Sequence, residues 1–287
     1  MQDLYSREDI RNTYEPVKDH ISTRNIILEY ARNTKDIRDV ALEGLTLSGA
    51  KRVLDLGCSY GFFTEKLKGR LPDGATIVGL DMVDKENRDI FLKTVDTIGY
   101  QGEFIHARAE IIRDMKDESF DLIIASYSLY FFPHLIDEIA RVLSPDGTFI
   151  TVTHSRDSLK EVTRYVPRCM ERLGLEPPSE IAIDRLLSSF CLENGEARLK
   201  PHFMKVEQII YPNDLLFPLD RVLECISYLD KKKYLIMKDV SENYPQKLED
   251  MITYFNAMVF DHARLHGEVI ITKDDAVFRC FNPGRRG

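Results

Sequence analysis

Apolar positions in this chain gather into short dense runs, and from residue 51 onward these runs alternate between two lengths. Residues 52–56 (RVLDL) form a brief apolar run that ends in glycine, and residues 75–80 form a second that ends at Asp81. Residues 103–106 are a third, residues 120–126 (FDLIIAS) a fourth, and the β-branched stretch 148–153 a fifth. Near-continuous apolar runs of this length suit strands buried on both faces of a parallel sheet. Between the last two, Leu135, Ile136, Ile139, Ala140 and Leu143 recur at helical spacing, and Ser144, Pro145, Asp146 and Gly147 end that helix with turn chemistry. Residues 62–67 read as the start of a helix after the first glycine-bearing turn. Strands that alternate with helices predict βαβ units, an α/β fold and a mostly parallel sheet.

The flanks are less regular. The first 50 residues are rich in charge and read mainly as helix, with residues 25–31 their best apolar stretch. Helices are expected over 158–173, 181–192, 219–229 and 245–264, and a sixth strand over 203–211. Residues 268–272 and 276–281 read as strand, turn, strand, with Asp274 and Asp275 in the turn. The tail from Asn282 is expected to be disordered. No internal repeat or low-complexity segment interrupts the chain.

Bulk properties narrow the partners. At 287 residues, with 44% hydrophobic and 30% charged residues, the chain can bury a large core. Its formal net charge of -8 disfavours nucleic-acid phosphates. The run Lys231, Lys232, Lys233 reads as a solvated helix end. No stretch approaches the roughly 18 to 20 apolar residues that span a bilayer, and residues 1–5 lack the basic and apolar regions of a signal peptide. The five cysteines are scattered, odd in number and without CxxC spacing, which predicts reduced thiols in the cytoplasm and neither a disulfide framework nor a zinc site. His262 and His266 share one helix face beside Asp261. That spacing suits a zinc pair, but no third ligand is in sight, so they read as packing or surface histidines and no metal is expected.

The segment richest in chemistry is VLDLGCSYG, residues 53–61, followed by Phe62. Gly57 and Gly61 let the backbone turn sharply and approach a ligand closely. The helix expected next would offer free N–H groups to a polar or anionic group. Asp55 is placed to order the loop or to accept from an ammonium. The dinucleotide fingerprint GxGxxG fails, because Cys58, Ser59 and Tyr60 separate two glycines, and no GK[ST] follows to make a phosphate-binding P-loop.

This segment resembles motif I of class I S-adenosylmethionine (SAM)-dependent methyltransferases, of the small-molecule type 11/12 kind, with Ser59 in place of the middle glycine. Three further landmarks follow in the family's order. Asp81 matches the acid that binds both ribose hydroxyls. Residues 104–110 match the segment beside adenine, with Arg108 where many relatives carry aspartate and Glu110 or a backbone carbonyl left to meet the adenine amine. Residues 120–126 and 141–147 match the fourth strand and the helix-turn before the fifth. The resemblance implies a Rossmann-like seven-stranded, mostly parallel sheet flanked by helices, with one reversed strand and a helical cap. It implies a single methyltransferase domain over 1–287. The SAM-binding core would be about 45–156, with final strands 203–211 and 268–281. Helices 1–45 and insertions 157–200 and 213–266 would form the cap over the acceptor pocket. The cofactor would be SAM, the product S-adenosyl-L-homocysteine, and the binding residues Asp55, Gly57, Cys58, Ser59, Gly61, Phe62, Asp81, Met82, Ala109, Glu110 and Ser126.

Transfer of a methyl from a sulfonium is an in-line displacement, so the protein mainly positions and desolvates the acceptor. The sequence SYSLYFFP after the fourth strand (126–133) lacks the [DN]PP[YF] found in enzymes that methylate exocyclic amines and amides. Its aromatics suit an apolar or planar small molecule, or simply pack the core. His154 is a candidate general base or acceptor hydrogen-bond partner, and Tyr127 a candidate contact near the methyl group. The expected partner is a small-molecule acceptor, not nucleic acid or a membrane, and a homodimer is a compatible assembly. An RNA or protein methyltransferase and a non-catalytic SAM- or product-binding protein are the alternative readings.

Overall fold

Five apolar runs and two later ones assemble into one seven-stranded sheet in the computed structural model, which describes residues 4–284. Met1–Asp3 and residues 285–287, on which parts of the N-terminal and tail expectations rest, lie outside the described residues. The strands are β1 (Arg52–Leu56), β2 (Thr76–Asp81), β3 (Gln101–His106), β4 (Phe120–Ser126), β5 (Leu143–His154), β6 (Phe203–Tyr211) and, after two strands of a separate sheet, β9 (Asp275–Pro283). Their order is β3-β2-β1-β4-β5-β9-β6. β1 pairs in parallel with both β2 and β4, and β9 runs antiparallel to both β5 and β6. One reversed strand in an otherwise parallel sheet is the expected Rossmann-like arrangement. Val53, Leu54, Ile77, Val78, Leu122, Ile123 and Ile124 are fully buried, which is why their runs carry no polar alternation.

The chain divides into two compact units. The sheet unit comprises Lys35–Ser155, Ser189–Tyr211 and the chain from Asp275. The helical unit comprises the chain through Thr34, with Arg156–Ser188 and Pro212–Asp274. In the helical unit, β7 (Asp214–Pro218) and β8 (Glu268–Thr272) pair antiparallel in a sheet of their own. Its longest helix, Leu248–His266, buries Met251, Phe255, Val259 and Ala263 at a spacing of four. Its first helix is fastened by a buried Lys238–Asp9 ion pair at 2.7 Å and by the Tyr5 hydroxyl, which donates to the Leu235 carbonyl at 2.8 Å.

Several sequence expectations change. Residues 268–272 do not join the main sheet; they pair with β7, and only Asp275–Pro283 enters beside β5. Asn282 and Pro283, expected in a disordered tail, complete β9. Residues 144–147 form a bulge within β5, between the Leu143–Phe120 and Thr148–Leu122 pairings. The helix expected over 62–67 is a 3-10 turn, Thr64–Leu67. The Lys66 amide donates to the Phe63 carbonyl, while the Phe62 carbonyl that an α-turn would use is held by the Arg38 guanidinium. The lysine run is not simply solvated. Lys232 is half-buried over the Tyr228 ring, 4.9 Å from its centroid, and burial with the charges of Lys273 and Lys231 pushes its pKa down to about 8.

Candidate active site

β1 ends where the sheet order reverses direction, between β1 and β4, and open α/β sheets hold ligands beyond the carboxyl ends of strands at such points. The loop after β1 is built from backbone constraints. Gly57 has φ +73°, and a Cβ there would lie 2.6 Å from the Ser128 Cβ. Only hydrogen fits, because the segment after β4 closes over the loop and the Ser128 hydroxyl donates to the Leu56 carbonyl at 2.6 Å. Under the loop, a Cβ on Gly79 would meet Phe91 at 2.6 Å and the Cys58 sulfur at 2.7 Å. The Cys58 side chain therefore points into the core, where burial pushes its thiol pKa well up, and any contact it makes with a ligand is through backbone.

Ser59 stands in the left-handed region at φ +46°, which a serine adopts only when its surroundings hold it there. Its amide donates to Asp81 Oδ2 at 2.9 Å, while the Val83 amide donates to Asp81 Oδ1 at 2.8 Å. Asp81 thus ties the loop to the end of β2. Burial raises its pKa, against the amides of Val83, Ser59 and Met82. Each carboxylate oxygen accepts more than one hydrogen bond, so acceptor capacity for two vicinal hydroxyls remains. The Ser59 hydroxyl is buried without a protein partner among the described residues, which leaves it open to a ligand or a water. Asp55 is buried, takes the Thr64 hydroxyl at 2.6 Å, and is pushed up to about 7 by burial, with the Asp81 charge adding to the shift.

The remaining expected residues lie on the segments that follow β1, β2 and β3 and at the end of β4. Gly61, at φ +77°, closes the turn, and the Phe62 ring lies 5.9 Å from that of Tyr60. The Met82 carbonyl meets His106 Nε2 at 3.1 Å. Ala109 and Glu110 open a 3-10 turn, Ala109–Asp114. Glu110 is paired with Arg108 at 3.2 Å and His134 at 3.3 Å. Burial pushes its pKa up, but its own amide, Arg108 and His134 outweigh that and hold it low. Ser126 is half-buried at the end of β4, opposite Val152.

Tyr127 and His154 come together. Their rings are 4.6 Å apart, and Tyr130 lies 5.9 Å from His154 on a nearly parallel plane. Tyr130 and Phe132 are buried and Phe131 is half-buried, so these aromatics largely pack the loop. His154 Nδ1 lies 2.7 Å from Asp275 Oδ1, and the Tyr127 hydroxyl donates to Asp275 Oδ2 at 2.7 Å. Sequence reasoning placed Asp275 in a turn and missed it; an acid at the first position of a strand was the only signal.

Arg38 was also missed. It chelates Asp36 at 2.9 and 2.6 Å, meets Glu65 at 2.7 Å and donates to the Phe62 carbonyl, pinning the segment before β1 to the glycine loop. Asp36 is correspondingly held well below the usual carboxylate range: the Arg38 and Lys66 hydrogen bonds outweigh the upward push of burial. In the helical unit, the His262 and His266 rings are 4.4 Å apart, and His262 Nδ1 meets the Tyr165 hydroxyl at 3.1 Å, a packing arrangement. Among the described residues no three metal-binding side chains converge.

Residues 54–151 match the family model described as a methyltransferase domain. The matched span runs from within β1 to within β5 and contains the glycine loop, Asp81 and Tyr127. A 95-residue stretch is 36% identical to an O-antigen chain terminator bifunctional methyltransferase/kinase of Escherichia coli, covering 32% of this chain and 13% of that protein. A 144-residue stretch is 30% identical to a trans-aconitate 2-methyltransferase of Methylobacterium nodulans, covering 48% of this chain and 49% of that protein. The chain thus spans less than half the length of either. The fold is similar to that of a phosphoethanolamine N-methyltransferase 2 of Haemonchus contortus, solved with phosphomonomethylethanolamine and S-adenosylhomocysteine. That match has a TM-score of 0.52 and 13% identity over 97% of this chain and 60% of that one. Within the sheet unit, residues 54–151 thus resemble a methyltransferase domain set on a Rossmann-like sheet.

Proposed function

We propose that this protein transfers the methyl group of SAM to a small-molecule acceptor. The observation that carries the reading is the Ser59–Asp81 tie, which holds a sharply turned loop against a half-buried carboxylate and leaves the Ser59 hydroxyl without a protein partner among the described residues. An adenosyl sulfonium amino acid fits these groups. Asp81 would take the ribose hydroxyls, and the loop with Asp55 would face the amino-acid end. A buried carboxyl held up to about 7 becomes a favourable carboxylate once a cation approaches. The bound group supplies an electrophilic methyl on sulfur.

The small-molecule reading rests on the negative net charge and on the likeness to a protein named for trans-aconitate. Five buried cysteines, all free, support a cytoplasmic setting. No helix among the described residues is long and apolar enough to cross a membrane.

Calorimetric titration of SAM and S-adenosylhomocysteine into the wild type and Asp81→Ala tests the reading. Binding in the wild type, weakened about tenfold or more in the variant, is expected from loss of a charge-assisted hydrogen-bond pair. A folded wild type that binds neither compound sinks the proposal. Tight binding with no methyl transfer to any compound of a cell metabolite extract favours the non-catalytic reading.

A further inference from the structure

Two side chains, one from a strand and one from a loop, meet at a single buried acid. Asp275, 1% exposed, opens β9 opposite His154 on β5 and opposite Tyr211 on β6. One of its oxygens lies 2.7 Å from His154 Nδ1, and the other accepts from the Tyr127 hydroxyl at 2.7 Å. The tyrosine is set for this by its backbone. At φ +55° it occupies the left-handed region, and its amide donates to the Val152 carbonyl at 2.8 Å. A non-glycine residue is strained there, and such strain persists only where the surroundings impose it. The His154 ring is packed by Tyr127 and Tyr130, and its carbonyl accepts from the Leu192 amide at 2.9 Å. Its orientation is therefore fixed at both the ring and the backbone.

We propose that Asp275 is a positioning residue that holds His154 as a general base, and that the methyl acceptor is a hydroxyl compound. This rests on the methyl-transfer reading above and names its acceptor class. The chemistry follows from the tautomer. A carboxylate on Nδ1 keeps the proton on that nitrogen and directs the imidazole lone pair to Nε2. When Nε2 takes a second proton, the new imidazolium already faces a buried carboxylate and needs no reorganisation. Such a base serves an acceptor that must lose a proton while it attacks. A hydroxyl does; a carboxylate or a tertiary amine does not. In the step, the hydroxyl oxygen bonds the methyl carbon while the carbon–sulfur bond breaks. Its electron pair goes to sulfur, and the hydroxyl proton goes to His154 Nε2. Tyr127, sharing Asp275, keeps the carboxylate turned toward the imidazole.

The test is the tautomer of His154, read from nitrogen–proton correlation spectra of protein labelled in its seven histidines, with His154→Gln for assignment. Wild type is expected to carry the proton on Nδ1. In the isosteric Asp275→Asn, the Tyr127 hydroxyl still donates to the carboxamide oxygen, which turns the NH2 toward His154 and moves the ring proton to Nε2. Turnover is read with methyl-labelled SAM on phenols, catechols and 2-hydroxy acids, beside tertiary amines and carboxylic acids without hydroxyls. Label is expected on hydroxyl oxygen, with kcat falling on the order of 10²-fold or more in Asp275→Asn while KM changes little. Tyr127→Phe keeps the carboxylate and is expected to keep the Nδ1 tautomer, which controls for simple disruption of the fold. A wild-type proton on Nε2, an unmoved tautomer in Asp275→Asn, or label on a carboxylate, a tertiary amine or carbon overturns the proposal. The tautomer decides even where no compound of the panel is turned over. SAM affinity on the same samples separates the two readings. A wild type that does not bind SAM overturns methyl transfer itself, whereas binding with an unmoved tautomer overturns the dyad alone.

Discussion

Replacing Asp55 by asparagine should make the protein's stability less sensitive to pH, and the size of the effect follows from the site. The carboxyl is 2% exposed, its hydrogen bond comes from the uncharged Thr64 hydroxyl, and Asp81 lies close enough to add a like charge. Its pKa is pushed from 3.8 up to about 7 in the fold. An acid whose folded pKa lies above its unfolded value holds its proton in the native state. Stability is then fully present below pH 3.8 and declines as pH rises toward 7. Each pH unit in that window costs about 1.4 kcal/mol, a ceiling of about 4 kcal/mol above it. Asparagine keeps an oxygen for Thr64 but adds an amide that needs partners, a loss of about 1–3 kcal/mol that does not vary with pH. Urea midpoints by circular dichroism at pH 4.5, 5.5, 6.5 and 7.5 isolate the pH-dependent part. Wild type should lose ground to Asp55→Asn by about 1.4 kcal/mol per unit across the first three points and level off at the last. A difference that stays constant across the series would refute the buried, proton-holding carboxyl. With SAM bound, the wild-type slope should shrink, because a cation near the loop favours the carboxylate.

Gly57→Ala puts a Cβ 2.6 Å from the Ser128 Cβ at φ +73°, and should cost about 2–4 kcal/mol in urea unfolding. Ser128→Gly in the same chain relieves the contact but not the dihedral, so about half of the loss should return; no recovery would mean that Ser128 is not the obstacle. Arg38→Met removes the guanidinium that holds Asp36, Glu65 and the Phe62 carbonyl, and should cost about 2–3 kcal/mol while weakening SAM binding in calorimetry. Stability lost with SAM affinity unchanged would show that the clamp does not shape the loop.

The core of the fold was legible because the signals were local. A strand buried on both faces must be apolar at nearly every position, and a chain that reverses direction beside it needs glycine or a residue tolerant of left-handed backbone. Residues 52–61 show both, and residues 120–126 show the first. The placement of Asp81 was equally local, since it ends the strand beside the loop it binds. Cys58 illustrates the limit within that same loop. Its position in the motif was plain, but only the absence of a Cβ on Gly79 makes room for its sulfur in the core.

What the sequence determined by itself is therefore the alternation of strand and helix and the chemistry of one loop, because these depend on neighbours a few residues away. What only the tertiary structure decided is who pairs with whom. Strands β8 and β9 are separated by two residues and look alike as apolar runs, yet one pairs with β7 and the other with β5 and β6. Periodicity records that a strand is buried, not the identity of its partner. The same holds for His154 and Asp275, 121 residues apart, and for Arg38 and Phe62, 24 apart. A carboxylate orients an imidazole only across a distance that sheet register sets, and register is a property of the assembled sheet.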